Sequence, residues 1–330
     1  MRPPEESFCA VDEVTLCYEP FGRAEDPALL LIMGLGMQMI AWDDDFCTGL
    51  AERGFYVIRF DNRDTGHSTR FDQIPPPTLT ELTRRRLEHP AYTLSDMARD
   101  AAGLLDQLEV DRAHVVGASM GAMIGQVLAA ERTARVLSLV SIMGSTGSRL
   151  SGQPSPRVLP IFLRPSPTDR KEYLERAMKV FTMIRSPGYE ADPERLRAML
   201  ELSFDRGNSP AGTARQLGAI VTSGDRKHAL ARISAPTLVI HGMADRLVRP
   251  SGGRATAAAI PGAHLLLLSG MGHDLPRQLW PMLFDVIAAN ARRAGEPAPR
   301  SGPDPAPNSD GDPAAFGQLD ELDQDIPQLQ

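Results

Sequence analysis

Short, continuous runs of apolar residues, each ended by a glycine or a polar turn, alternate along the chain with segments of helical pattern. The apolar runs cover residues 28–33, 55–60, 113–116, 136–143, 237–240 and 263–268. A run of this length without polar alternation is typical of a strand that is buried on both faces. Strands that alternate with helices predict an α/β fold with a doubly wound, mostly parallel sheet and right-handed crossovers.

Local signals place one further strand and two of the helices. Residues 11–18 alternate apolar and polar side chains, as an early strand would. Thr93 and Asp96 form a candidate capping box before an amphipathic stripe that runs from Met97 to Leu108. Residues 120–130 carry no charge and are rich in alanine, methionine and glycine, which predicts a buried helix.

The alternation stops at residues 149–233, which have no strand-like run. They contain helix starts instead, at Thr168, Asp192 and Ser209, where a capping residue precedes a helical pattern. Because insertions at the carboxyl edge of such a sheet lie over the ligand crevice, we expect a helical cap there. The predicted domains are a core in two parts (1–148 and 234–294), the cap (149–233) and a disordered, acidic, proline-rich tail (295–330).

The composition excludes several classes of protein. Of the 330 residues, 42% are hydrophobic and 23% are charged, which suits a packed core and excludes global disorder. The net charge of −7 argues against nucleic acid as a main partner. The three cysteines form no C-x-x-C pair, the start has no apolar segment, and the apolar runs are too short to span a bilayer. These features predict a cytoplasmic protein without a membrane segment.

The motif G-x-S-x-G occurs once in a context that gives it chemical meaning, at residues 117–121. It follows the apolar run 113–116 and precedes the predicted helix, which is the strand–turn–helix arrangement of a nucleophile elbow. Glycines flank the serine because side chains there would clash with the neighbouring strand and helix. We therefore expect Ser119 to be a nucleophile at the sheet edge; the alternative is a plain glycine-rich turn.

A serine hydroxyl needs a base to take its proton, and an acid to orient that base. His273 lies in a loop after the last predicted strand, which suits the chain order Ser, Asp, His. His67 and His241 follow strand ends and take second place. Asp245, just past the run 237–240, is the predicted acid. Asp274 is a weaker rival, because residues adjacent in sequence rarely point at one another.

The oxyanion of an acyl-transfer intermediate needs two backbone N–H donors. One should come from Met120, which follows the nucleophile and begins a helix. The other should come from Leu35, between Gly34 and Gly36, in the turn after the run 28–33. The competing dinucleotide-binding motif fails, because its third glycine would fall on Met39.

Together these segments resemble the α/β-hydrolase superfamily over residues 8–294, and most of all its aclacinomycin methylesterase-like, small-molecule carboxylesterases. The resemblance rests on LLLIMGLGMQMIAW, DNRDTGHS, HVVGASMG, PTLVIHGMADRLV and GMGHDLP. It implies that Ser119, Asp245 and His273 form the catalytic triad. Two positions depart from the family pattern. Met33 stands where histidine is usual, and Asp64 stands where many relatives carry glycine.

We therefore expect a serine hydrolase that cleaves carboxylic esters of small, fairly apolar molecules, with methyl esters among the candidates, through an acyl-enzyme. A lactonase, a C–C hydrolase or a perhydrolase on the same triad is the alternative, and a non-catalytic binding protein of this fold is the second. No histidine pair has zinc-ligand spacing and the sequence has no phosphate-binding loop, so we expect neither a metal nor a cofactor. The expected partner is the ester substrate, and the expected state is a monomer or homodimer.

Overall fold

A computed structural model describes residues 5–158 and 167–295 of the chain. Its eight strands are β1 (Ser7–Val11), β2 (Val14–Phe21), β3 (Ala28–Ile32), β4 (Tyr56–Phe60), β5 (Ala113–Ala118), β6 (Val136–Ile142), β7 (Thr237–Gly242) and β8 (His264–Leu268). They form one sheet in the order β1-β2-β4-β3-β5-β6-β7-β8. β2 pairs antiparallel with β1 and β4, and all other pairs are parallel. The prediction of a mostly parallel α/β sheet is confirmed.

Helices cover both faces of this sheet. The described helices are α1 (Asp44–Ala51), α2 (Leu79–Arg84), α3 (Leu94–Gln107), α4 (Met120–Glu131), α5 (Arg170–Ile184), α6 (Pro193–Gly207), α7 (Pro210–Ser223), α8 (Lys227–Leu230), α9 (Ser251–Ala259) and α10 (Trp280–Arg292). Along β3, Leu30 packs in one hydrophobic cluster with α3 and α4. Its neighbours Leu29 and Leu31 pack in the other, with α1 and α10. Alternate side chains therefore enter opposite cores, as a doubly covered strand requires.

Two expectations about strands need correction. Residues 11–18 are not one strand, because the chain turns at Asp12, whose φ is +48°, and β1 and β2 form a hairpin around it. Strand β8 is not buried on both faces: its residues are exposed or half-buried. Among the strands that the structure describes, it lies at the sheet edge and pairs with β7 alone.

Helix starts follow the predicted capping residues closely. Thr93 and Asp96 form the full capping box before α3. Asp192 caps α6 and Ser209 caps α7, each with proline as the first helical residue. The start predicted at Thr168 is one residue early, because the side chain of Asp169 accepts the hydrogen bond from the Glu172 amide. A carboxylate at this position also suits the positive end of the helix.

Helices α5 to α8 all lie between β6 and β7, within the predicted segment 149–233. Three of its backbone or side-chain groups bond to loops at the carboxyl edge of the sheet. Ile184 accepts from the amide of His273, Ser186 donates to Asp274, and Gln216 accepts from the amide of Gly36. The division into core and cap stays a prediction, and the predicted tail beyond Gly295 lies outside the described residues.

Candidate active site

Ser119 stands between the end of β5 and the start of α4, in the left-handed region with φ of +56°. An L-residue adopts this conformation only when its surroundings impose it. A Cβ on Gly117 would lie 2.2 Å from the carbonyl oxygen of Gly121, and one on Gly121 would lie 2.0 Å from that of Ile32. The two flanking glycines thus allow helix and strand to approach closely enough to hold the serine in its turn.

His273 and Asp245 converge on this serine from two other loops. The Nε2 atom of His273 lies 2.9 Å from the Oγ of Ser119, and its Nδ1 atom lies 2.7 Å from the Oδ2 of Asp245. A carboxylate can only accept, so Nδ1 carries the proton and donates it to Asp245. Nε2 is then the unprotonated nitrogen that accepts from the serine hydroxyl, which is the arrangement that general-base activation requires.

The environment of Asp245 keeps this carboxylate charged. Its Oδ1 accepts from the amides of Leu247, at 2.8 Å, and Val248, at 2.9 Å. Burial raises the pKa of Asp245, but the charges and hydrogen bonds of His273 and His241 outweigh burial and lower that pKa to about 2. An anion is thus available to stabilise the imidazolium that forms when His273 takes a proton.

The rival residues are engaged elsewhere. His67 pairs with Glu6 at 2.6 Å. His241 is fully buried, and its Nε2 lies 2.7 Å from the carbonyl oxygen of Val248 and 3.5 Å from the Oδ2 of Asp245. Asp274 accepts from the amide and the hydroxyl of Ser186. The structure therefore brings together the three residues that the chain order Ser, Asp, His selects.

The two predicted oxyanion donors lie next to Ser119: Met120 follows it in the chain, and Leu35 follows Gly34, which contacts it. A Cβ on Gly34 would lie 3.1 Å from the Cβ and 3.6 Å from the Oγ of Ser119, so the loop carrying Leu35 touches the nucleophile. Met120 is the first residue of α4, whose amide has no partner within the helix. Within residues 5–158 and 167–295, neither the Leu35 amide nor the Met120 amide donates a hydrogen bond to another group. Both are available to an oxyanion.

The sequence did not predict the contacts of several residues that support the site. Asp61, which is fully buried, accepts from the amide of Met39 at 2.7 Å and from Arg206 on α6 at 2.8 Å. Gln216 on α7 reaches the loop at Gly36. The position of Asp61 directly after a strand was a usable signal. A glutamine within a helix gives no local sign that it will bond to a loop 180 residues away.

Among the residues that the structure describes, one group of side chains offers metal-ligand atoms close together. Glu6, Cys17 and His67 place ligand atoms within 4.8 Å of one another. The guanidinium of Arg206 donates to Glu6 at 2.7 Å and lies 3.8 Å from the Cys17 sulfur. Burial is the main cause that raises the pKa of the Cys17 thiol. A thiol that keeps its proton beside a fixed cation is a poor cation ligand, so the donor set does not fit a metal.

The chain matches the family model of the α/β-hydrolase fold over residues 27–276. It is 33% identical over 305 residues to rhodomycin D methylesterase DauP of a Streptomyces species, which covers 86% of this chain and 97% of that relative. Rhodomycin D methylesterase DnrP of Streptomyces peucetius gives the same identity and coverage. The solved structure of a hydrolase from Pseudomonas aeruginosa matches with a TM-score of 0.63 and 29% identity, over 87% of this chain and 98% of that one.

These relatives confirm the resemblance to aclacinomycin methylesterase-like enzymes and support the prediction of a carboxylic-ester hydrolase. In the part of the chain that the structure describes, no helix combines the length and the apolar character needed to cross a bilayer. With a family model that matches most of its length and two relatives aligned over 86% of it, the chain belongs to the α/β-hydrolase fold family.

Proposed function

We propose that this protein is a serine hydrolase that cleaves carboxylic esters of small, fairly apolar molecules through an acyl-enzyme. The observation that carries the proposal is the continuous hydrogen-bond chain from Ser119 through His273 to Asp245, with distances of 2.9 and 2.7 Å. The names of the methylesterase relatives favour a methyl ester as the bond that is cleaved.

The reaction follows from the placement of these groups. The Ser119 oxygen bonds to the ester carbonyl carbon as its proton passes to Nε2 of His273, and the carbonyl oxygen becomes an oxyanion held by the Leu35 and Met120 amides. Collapse of this intermediate expels the alcohol, which takes the proton from His273. Water then gives a proton to His273 and attacks the acyl carbon, so that the carboxylic acid leaves and Ser119 regains its hydrogen.

Met39, Met120, Met123 and Met271 are buried and fill the core, whereas Met37 is half-buried in the loop after β3. We assign residues 149–233 to a cap over the site, because their contacts with Gly36, His273 and Asp274 lie on the loops that carry the reacting groups. In the same proposal the protein acts in the cytoplasm as a monomer or homodimer.

The proposal is tested by assaying methyl, acyl and lactone substrates with the wild type and with Ser119→Ala. We expect ester turnover by the wild type and a loss of at least about 1000-fold in the variant. Ser138→Ala on β6 is the matched control, because the Ser138 hydroxyl also lies 2.9 Å from a histidine nitrogen. That histidine, His114, is at the amino end of β5, whereas Ser119 follows its carboxyl end. The turnover of this control variant should stay near that of the wild type.

Other outcomes assign the alternatives. Turnover confined to lactones would replace the ester hydrolase by a lactonase. A fluorophosphonate probe reports on Ser119 without a known substrate, since it phosphonylates an activated serine. A wild type that hydrolyses no substrate and resists this probe would instead be a binding protein of the same fold, and the proposal would be wrong.

A further inference from the structure

Residues 34–39, here called the oxyanion loop, are held by two helices that come from the segment between β6 and β7. The amide of Gly36 donates to the Oε1 of Gln216 on α7 at 2.8 Å. On the other side, the Nε2 of Gln38 donates to the carbonyl oxygens of Ser203, at 2.6 Å, and Gly207, at 3.0 Å, in the last turn of α6. The loop that carries the predicted Leu35 donor is thus built against α6 and α7.

The side chain of Gln216 has a single orientation that satisfies its neighbours. Its Nε2 donates to the carbonyl oxygen of Arg63 at 2.9 Å and to the hydroxyl of Thr65 at 2.6 Å, while its Oε1 faces the Gly36 amide. An amide N–H can only donate and a carbonyl oxygen can only accept, so a flipped side chain would lose the Gly36 and Arg63 bonds. Gln216 is fully buried, which makes the loss of either bond expensive.

The bond to Gly36 fixes the peptide plane in the middle of a tight turn. The Met37 amide donates to the Gly34 carbonyl oxygen at 3.1 Å and closes this turn, and Gly36 adopts the left-handed region with φ of +66°. In such turns the two common backbone forms differ by a flip of the central peptide, here the one between Leu35 and Gly36. By accepting from the Gly36 amide, Gln216 selects one of the two forms. It thereby fixes the orientation of the Leu35–Gly36 peptide, which directly follows the Leu35 N–H.

Helix α7 is itself rigidly attached at this point. Arg215, the neighbour of Gln216, donates twice to the buried carboxylate of Asp64, at 2.7 and 2.8 Å. Gly212 lies so close to the same turn that a Cβ would come within 2.5 Å of the Asp64 carbonyl oxygen. The acceptor offered to Gly36 is therefore held by the helix position as well as by its own hydrogen bonds.

We infer that Gln216 is a positioning residue for the oxyanion hole: docked helix α7 presents its side-chain carbonyl to Gly36 and thereby aims the Leu35 amide at the oxyanion. The inference rests on the proposed function, because it needs an oxyanion to form at Ser119. In this inference, the geometry of the oxyanion hole depends both on the loop after β3 and on α7. The hydrogen bonds of Gln216 go to Gly36, Arg63 and Thr65, so it acts on the oxyanion through the oxyanion loop.

Gln216→Met tests the inference, because methionine matches the length of glutamine but offers no acceptor comparable to an amide oxygen. We expect kcat to fall by about 10- to 100-fold, since a displaced donor forfeits transition-state stabilisation. KM should stay within about 3-fold of the wild type, because the ground-state carbonyl gains little from the hole. A trifluoromethyl ketone, whose adduct with Ser119 carries an oxyanion, should lose affinity by the same factor as kcat.

Two further variants separate positioning from a general loss of structure. Gln126→Met also removes a fully buried glutamine that donates one hydrogen bond, to Ser141 at 3.0 Å, but it lies on α4 away from the oxyanion loop. It should lose stability while keeping kcat. Gln216→Glu should regain most of the lost kcat, because burial favours the neutral carboxyl, which offers Gly36 an acceptor as the amide does. The guanidinium groups of Arg63 and Arg215 are already paired with Asp100 and Asp64.

The outcomes are distinct for this inference and for the proposed function. A folded Gln216→Met with unchanged kcat and unchanged ketone affinity, beside an active wild type, overturns the positioning role alone. Equal effects of Gln126→Met and Gln216→Met on kcat also overturn it. If Gln216→Met does not fold, a Gln216→Glu variant that folds but shows no ketone binding overturns it as well. A wild type without turnover or probe labelling overturns both proposals together.

Discussion

The guanidinium of Arg215 donates two hydrogen bonds to the carboxylate of Asp64, and both side chains are buried. Asp64 occupies the left-handed region with φ of +69°, where glycine is favoured, which accounts for the glycine that the family pattern places there. In this chain the carboxylate also accepts from the Tyr92 hydroxyl and the Phe71 amide. The departure from the family pattern thus provides the anchor for α7.

Arg215→Met should destabilise the protein by about 3–5 kcal/mol, because it leaves the Asp64 carboxylate buried without its cation. The double variant Asp64→Gly with Arg215→Met should lose less, since no charge is stranded and glycine suits the backbone. Denaturant unfolding measures both. Arg197→Met, which breaks an exposed pair with Glu201 on α6, is the control and should change the free energy of unfolding far less. A loss below about 1 kcal/mol for Arg215→Met would contradict the buried-pair account.

Asp245→Asn should lower kcat by about 10,000-fold with a smaller effect on KM, because an amide no longer selects the tautomer of His273 or balances its positive charge. With a pKa of about 2, the Asp245 carboxylate is ionised throughout the neutral range, so the loss should persist across it. Steady-state kinetics measures both constants. Asp274→Asn changes the neighbouring carboxyl, which bonds to Ser186, and should keep kcat within about 10-fold. Reversed effects of the two variants would make Asp274 the acid.

The stability of the protein should fall between about pH 6.5 and about pH 4 because of His114. Burial, with a smaller contribution from the charge of Arg112, lowers the pKa of His114 to about 4, below its usual 6.5. A depressed folded-state pKa means that the stability is fully present above the unfolded pKa and is lost as the pH falls towards the folded one. One such proton accounts for up to about 1.4 kcal/mol per pH unit in this window.

Urea unfolding of the wild type and of His114→Gln at several pH values measures this contribution. The difference in slope between the two proteins isolates His114, because their carboxylates are the same. His228→Gln, which changes an exposed histidine on α8, should follow the wild type. Parallel curves for the wild type and His114→Gln would show that the imidazole is protonated within the fold.

Gly121→Ala should destabilise the protein by at least about 3 kcal/mol, because the new Cβ would lie 2.0 Å from the carbonyl oxygen of Ile32, which is backbone and cannot rotate away. Thermal or chemical unfolding measures the loss. Gly125→Ala on the same helix is the control: its Cβ would meet side-chain atoms of Val115 and Leu139 at 3.1 and 3.2 Å, which can shift. That variant should stay within about 1 kcal/mol of the wild type, helped by the better helix propensity of alanine. Equal losses would place the constraint elsewhere.

Local patterns in the sequence predict most strands, because the apolar or alternating residues of a strand reflect which of its faces are buried. The run 28–33 becomes β3, with alternate leucines in the two cores, and 237–240 becomes part of β7. The hairpin of β1 and β2 was missed, since Asp12 makes its turn without a glycine and β1 is half-exposed. The pattern of exposure in β8 depends on its having one neighbour, which no local pattern states.

By itself, the sequence determined the α/β class and pointed to Ser119, Asp245 and His273. These conclusions rest on the spacing of apolar residues, the glycines of the turn and the order of residues along the chain, all of which can be read without knowing the packing. Only the tertiary structure decided that Asp64 meets Arg215, 151 residues away, and that Gln216 meets Gly36, 180 residues away. A helical pattern tells that α7 forms and which residues share its faces, but not which loop receives them. That choice depends on how the whole segment packs, where many distant contacts together outweigh the entropy of closing the chain.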